Sequence, residues 1–140
     1  MCPFRNSTVC AADYITSSEN PALLDTLIIC SGPTRYTPAI PFPLAITTIP
    51  TVLENGEFGR LAYRLKREIT DTNGIIARFN ELEQRFGGEY IANMKEARTL
   101  LDKGDRQGFL DMLQKLLDKQ VAEAYSLMND ILKEVQPELP

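Results

Sequence analysis

Along the second half of the chain, apolar residues recur at the spacing of one helix face. Phe58, Leu61, Ala62, Leu65 and Ile69 follow an i, i+3, i+4, i+7 pattern, the stripe that an α-helix lays against a core. Arg60, Arg64, Lys66 and Arg67 fall on the rest of that helix, around Tyr63. A second stripe follows in Ile75 or Ile76, Phe79, Leu82 and Phe86. Between the two, Thr70-Asp71-Thr72-Asn73-Gly74 is either a break with Gly74 as the stop, or a helix carried through the glycine at about 1 kcal/mol. Gly87-Gly88 is expected to end the second helix. A third is predicted from Glu89 to Lys103, with Ile91, Met94, Ala97 or Arg98, and Leu101 on one side. Gly104 then occupies the position after a helix end that favours left-handed backbone, and Asp105 offers the next N-cap. A stop and a start in adjacent residues predict a tight hairpin of antiparallel helices.

The last helix is predicted from Asp105 to Gln136, ahead of Pro137, and is roughly 45–48 Å long at the usual rise per residue. Leu117, Val121, Ala124, Met128, Ile131 and Val135 are spaced 4, 3, 4, 3, 4 along it, an a/d seam of nearly three heptads. A compact monomer of this length is about 35 Å across. Part of the seam is therefore expected to overhang and to be covered by another chain, and these six residues with Phe42 are the expected interface. Packing of the seam on the chain's own N-terminal segment is the competing reading.

The first half has a different grammar. Seven of the nine prolines lie at or before Pro50, as do all three cysteines, Cys2, Cys10 and Cys30. Proline deletes a donor and clashes with the preceding turn, so long helices are not expected there. Asn20-Pro21 resembles a helix start. The apolar run from Ala22 to Cys30 fits a short helix or a buried strand, and periodicity does not choose between them. The segment from Pro38 to Pro50 carries Ile40, Phe42, Leu44, Ile46 and Ile49 between its prolines. Its prolines forbid a central strand and favour extended chain. It is too apolar for a solvated linker, and is expected to lie in a groove on its own helices or on a partner. The expected fold is mainly α: a four-helix, antiparallel, bundle-like part over residues 51–140 and a Pro-rich irregular segment over residues 1–50.

Composition narrows the chemistry. The chain has no histidine, which removes His-based acid/base work, His-paired nucleophiles and His metal ligands. A net charge of −4 argues against a nucleic-acid binder, which needs a basic face to replace counterions. No apolar run is long enough to span a bilayer. Dinucleotide, P-loop and nucleophile-elbow motifs are absent, so no catalytic residue, metal or cofactor is expected, and the chain alone is not expected to be an enzyme. Met1-Cys2-Pro3-Phe4-Arg5 lacks the basic and apolar regions of a secretory signal. With three scattered cysteines, reduced thiols and a cytoplasmic location are expected. Two groups suit an anionic ligand such as a small carboxylate. One is the turn Ser31-Gly32-Pro33-Thr34-Arg35-Tyr36, where Arg35 offers a bidentate contact beside Tyr36. The other is the stripe of Arg60, Arg64 and Arg67 with Tyr63. The first is also explained by a solvated turn with Tyr36 covering the core, and the second by a solvated helix face.

The stretch Glu96-Ala97-Arg98-Thr99-Leu100-Leu101-Asp102-Lys103-Gly104-Asp105-Arg106-Gln107-Gly108-Phe109-Leu110-Asp111, continuing to Lys115, resembles the C-terminal helical domain of prephenate dehydrogenases. There, a helix ending in Leu-Leu, a Gly-Asp hairpin and a helix opening with Gln-x-Phe-x-Asp recur in this order. The resemblance implies an all-helical dimerisation domain that closes over a nicotinamide-binding Rossmann domain in tyrosine biosynthesis. This chain lacks that family's nucleotide-binding glycine motif and its catalytic histidine. The resemblance therefore implies an isolated helical domain, or a relative keeping only the assembly role. Together these readings give a non-catalytic assembly or dimerisation module with a protein partner or a second copy. The alternatives are the helical part of a prephenate dehydrogenase-like enzyme with a carboxylate substrate, and a small-ligand pocket between the helices and the Pro38–Pro50 strap. Neither nucleic acid nor membrane is an expected partner.

Overall fold

The computed structural model describes residues 10–15 and 24–136; the predicted helix start at Asn20-Pro21 lies outside them. The described residues form strands β1 (Cys10–Ile15), β2 (Thr26–Ser31) and β3 (Ile40–Pro43). Helices α1 (Thr51–Glu54), α2 (Glu57–Glu68), α3 (Asn73–Asp102) and α4 (Arg106–Val135) follow. The fold is mainly α with a bundle-like C-terminal part. No described helix is long and apolar enough to cross a membrane.

The N-terminal part is less irregular than its prolines suggest. Its strands pair antiparallel in the order β1-β2-β3, so from Thr26 on the apolar run that periodicity left open is a central strand. The register of β3 explains how prolines enter a sheet. Thr26 lies opposite Pro43 and Leu27 opposite Phe42, and just beyond β3 the Leu44 N–H donates to the Asp25 carbonyl at 3.0 Å. Hydrogen-bonding positions alternate along an antiparallel ladder. Residues 40, 42 and 44 thus face β2, while Pro41 and Pro43 take the positions whose missing N–H would point away. β3 is accordingly an edge strand, where proline is tolerated. After β2 the chain turns at Gly32, where φ is +135° and a Cβ would come within 2.8 Å of the Ala62 Cβ. Glycine there, with Gly59 and Ala62 opposite on α2, brings the turn's backbone directly onto that helix.

The helical hairpin forms as predicted. Gly104 has φ +79°, and the Asp105 N–H donates to the Leu100 carbonyl at 2.9 Å, satisfying an otherwise orphan group at the helix end. The Asp105 side chain caps α4 by accepting from the Gly108 N–H at 2.8 Å. The break before α3 falls at Ile69–Thr72, placing Gly74 inside the first turn of α3 rather than at the end of α2.

Two expectations about the helices are corrected, and the corrections are linked. Gly87-Gly88 does not end a helix: α3 runs through both for 30 residues. Two interior glycines weaken a helix by about 1 kcal/mol each. The buried series Ile75, Phe79, Leu82, Phe86 and Ala97 outweighs that, because each large buried side chain contributes roughly 1.5–3 kcal/mol. An unbroken α3 matches the 30 residues of α4, both about 45 Å long. The overhang expected of α4 therefore does not arise. Leu117, Val121, Ala124, Met128 and Ile131 are at most 3% exposed, in one cluster with Phe58, Leu61 and Leu65 of α2 and Phe79, Leu82 and Phe86 of α3. The seam is the interior of a single copy. Val135, at 44% exposure, is the one seam residue left outside. Phe42 is half-buried against the same cluster and is likewise not a free interface residue. A second cluster joins Phe109 and Leu113 of α4, Ala97 of α3, and Leu24 near the hairpin tip.

The cysteine reading also changes. Cys30 is buried and disulfide-bonded, so the three thiols are not all reduced.

Candidate functional site

The Pro-rich strap lies on its own helices and is held at two points. At its start, the Ala39 N–H donates to Glu83 Oε1 of α3 at 2.7 Å. Burial pushes the Glu83 carboxyl above its ordinary range, and the hydrogen bond from Ala39 pulls it partly back. At its far end, Gln114 of α4 grips the backbone from both sides. Its Oε1 accepts from the N–H groups of Thr47 and Thr48 at 3.3 and 3.1 Å. Its Nε2 donates to the Thr48 carbonyl at 2.8 Å.

Past this grip, the chain over 48–52 and the face of α4 from Gln114 to Lys133 leave an open trough of about 810 Å³. Ile49, Val52, Ala122 and Tyr125 supply apolar surface over the buried Val121, and Asp118, Asn129, Asp130 and Lys133 are among its polar lining. The Tyr125 ring lies tilted against Phe58, with centroids 6.2 Å apart, so the core holds that wall in place. Ile49 remains 49% exposed. At 1.5 Å per residue, the α4 wall is about 28 Å long. Such an arrangement can shelter an elongated apolar surface and orient polar groups along its edge.

The second feature is the outward face of α2. Arg60, Tyr63, Arg64, Lys66 and Arg67 line an open concavity of about 720 Å³. Among the described residues, no carboxylate pairs with Arg60, Arg64 or Arg67. The opposite situation holds between α3 and α4. There Glu89 meets Lys119 at 3.1 Å and Arg85 at 3.5 Å, and Arg85 also meets Glu123. Partial burial pushes the Glu89 carboxyl up, but hydrogen bonds from Lys119 and Gln120, with the charges of Lys119 and Arg85, hold it below the usual range.

The four predicted ligand residues separate in the structure. Arg60 and Arg64 share the concavity on α2. Arg35 does not line it; this residue is half-buried, with its Nε shielded and unpartnered. Tyr36 is corrected outright. Its ring is buried in the main core and its hydroxyl donates to the Ile69 carbonyl at 3.4 Å, because the Gly32 turn carries it onto α2. The residues missed were Gln114 and Tyr125. Tyr125 stands outside the a/d register, an apolar position without an assigned place, whereas Ile49 belongs to the strap already expected to lie in a groove and here stands at the rim of the trough. Nothing in the sequence marks Gln114. No family model, curated protein or solved structure matches this chain.

Proposed function

We propose that this protein is a non-catalytic docking module that receives an elongated apolar segment of a protein partner in the trough between strap and α4. The observation that carries the reading is the shape and lining of that trough. A small-molecule site encloses most of its ligand. This one is open along about 28 Å of helix, the geometry of a groove that takes a helix or an extended strand of chain. Ile49 keeps half its surface in water although the trough beside it offers apolar contact, and a bound segment would cover it. The assembly role thus moves from the heptad seam, which is internal, to the other side of α4. The resemblance of residues 96–115 to a dimerising helical domain is consistent with an assembly role. The disulfide at Cys30 favours an oxidising compartment over the cytoplasm expected from the cysteine count.

An environment-sensitive apolar dye tests the reading. We expect saturable binding that an amphipathic helical peptide displaces, and loss of both in Ala122→Arg, which fills the trough from an exposed position without touching the core. A parent protein that binds neither dye nor peptide would sink the proposal. Titration of free thiols under native oxidising conditions checks the compartment: one free thiol is expected, and three would restore the cytoplasmic reading.

A further inference from the structure

Beyond the trough, charge is distributed unevenly over the helices, and the closest gathering of cations is on one face of α2. Across the hairpin, Arg78, Arg85 and Lys119 each meet a carboxylate. On α2, Arg60, Arg64 and Arg67 stand at i, i+4 and i+7 around the exposed ring of Tyr63, and none of them is within ion-pair distance of a carboxylate among the described residues. Like charges at this spacing repel one another along a helix. The core does not require them, since Phe58, Leu61, Ala62 and Leu65 fill it from the opposite stripe.

We propose that this face docks a short acidic helix of another protein, with the three guanidinium groups forking onto carboxylates and Tyr63 supplying apolar contact. Guanidinium presents planar paired donors that match a carboxylate. The stripe spans eight residues, about 10 Å of helix, and the exposed carboxylates of Glu57 and Glu68 close it at both ends. A long polyanion such as a nucleic acid would run into those carboxylates and into a molecule of net charge −4, whereas two turns of helix fit between them. A second copy of this chain is a poor complement. Its best-spaced acidic row, Glu123, Asp130 and Glu134, is already engaged by Arg85, Lys133 and Arg78.

The probe is a labelled helical peptide with glutamates at i, i+3 and i+7, followed by fluorescence anisotropy on the full chain. Binding is expected at low salt and should weaken about tenfold or more between roughly 20 and 200 mM salt, as exposed charge pairs are screened. Arg64→Glu should abolish it, Arg64→Lys should retain part of it, and the same peptide with glutamines should not bind. Ala122→Arg should bind the acidic peptide as the parent does, which separates this surface from the trough. Absence of binding at low salt, equal binding by Arg64→Glu or by the glutamine peptide, or loss in Ala122→Arg would each overturn the proposal. So would tighter binding of a single-stranded oligonucleotide or of anionic vesicles than of the peptide.

Discussion

Helix α4 meets the rest of the chain on two sides, and they are finished differently. Toward α2 and α3, it presents Leu117, Val121, Ala124, Met128 and Ile131, all closed off from water. Toward the strap, Gln114 ties down the backbone of residues 47–48, and beyond that tie the wall stays open with Ile49 half-exposed. A heptad seam announces that a helix has a long apolar neighbour, but not which chain supplies it. The side that the pattern marked as an interface is interior. The side proposed for docking carries an ordinary mixture of Gln, Asp, Ala, Tyr and Asn.

The largest expected effect tests this contrast directly. Leu117→Ala should destabilise the protein by about 3–5 kcal/mol, the range for emptying a rigid core site. Ile49→Ala should lose about 1 kcal/mol or less, since half of that side chain is already in water. Urea unfolding measures both. For the Leu117 variant and its parent, the thermal midpoint should not change with protein concentration, because the seam is sheltered within one copy. A concentration-dependent midpoint would return the seam to an intermolecular role.

Legibility in the sequence followed the length scale of each signal. The Gly104-Asp105 hairpin was visible because its determinants are adjacent: a left-handed glycine and a side-chain cap. The stripe from Phe58 to Ile69 was visible because amphipathic spacing repeats over three turns. Gly87-Gly88 reads as a helix end because local propensity carries no trace of the distant residues that override it, and a shortened α3 in turn leaves α4 overhanging. Pro41 and Pro43 hid an edge strand, since their compatibility depends on register against β2, which only pairing fixes. Of the candidate sites, the basic stripe was legible as a helix face. A pocket between the helices and the Pro38–Pro50 strap was among the expected alternatives, but which face of α4 walls it was not legible, because the two walls lie more than sixty residues apart in sequence.

Next in size is the tie between the two regions. Gln114→Ala removes the acceptor for Thr47 and Thr48 and the donor to the Thr48 carbonyl. Water can reach the freed groups, so a loss of about 1–2 kcal/mol is expected rather than a full burial penalty. Amide exchange should accelerate at Thr47 and Thr48 and remain unchanged across the hairpin. Acceleration along α3 would mean that strap and hairpin open together, contrary to the division drawn above. A smaller effect of opposite sign is expected at the glycine pair. Gly88 is exposed, its helical backbone suits any residue, and no other group lies within 4 Å of a Cβ built there. Gly88→Ala should stabilise by about 0.5–1 kcal/mol, with no change in dye binding at the trough.

The smallest effects should come from two carboxylates that mark the two regions with opposite signs. Glu89 belongs to the hairpin, and its folded pKa lies below its unfolded value. Its contribution is present above the usual carboxylate range and is lost as pH falls through the folded pKa. Glu83 anchors the strap, and burial raises its folded pKa. In the window above the usual carboxylate range, the folded state then holds more of the proton, so this group's contribution is lost as pH rises and regained as pH falls. Removing each charge should therefore bend the acid-unfolding profile in opposite directions: Glu89→Gln makes the loss of stability on acidification shallower, and Glu83→Gln makes it steeper. Urea midpoints measured across the carboxylate range resolve the two slopes. Parallel changes in both variants would mean that strap and hairpin share one electrostatic environment, and the contrast between the two sides of α4 would then be one of packing alone.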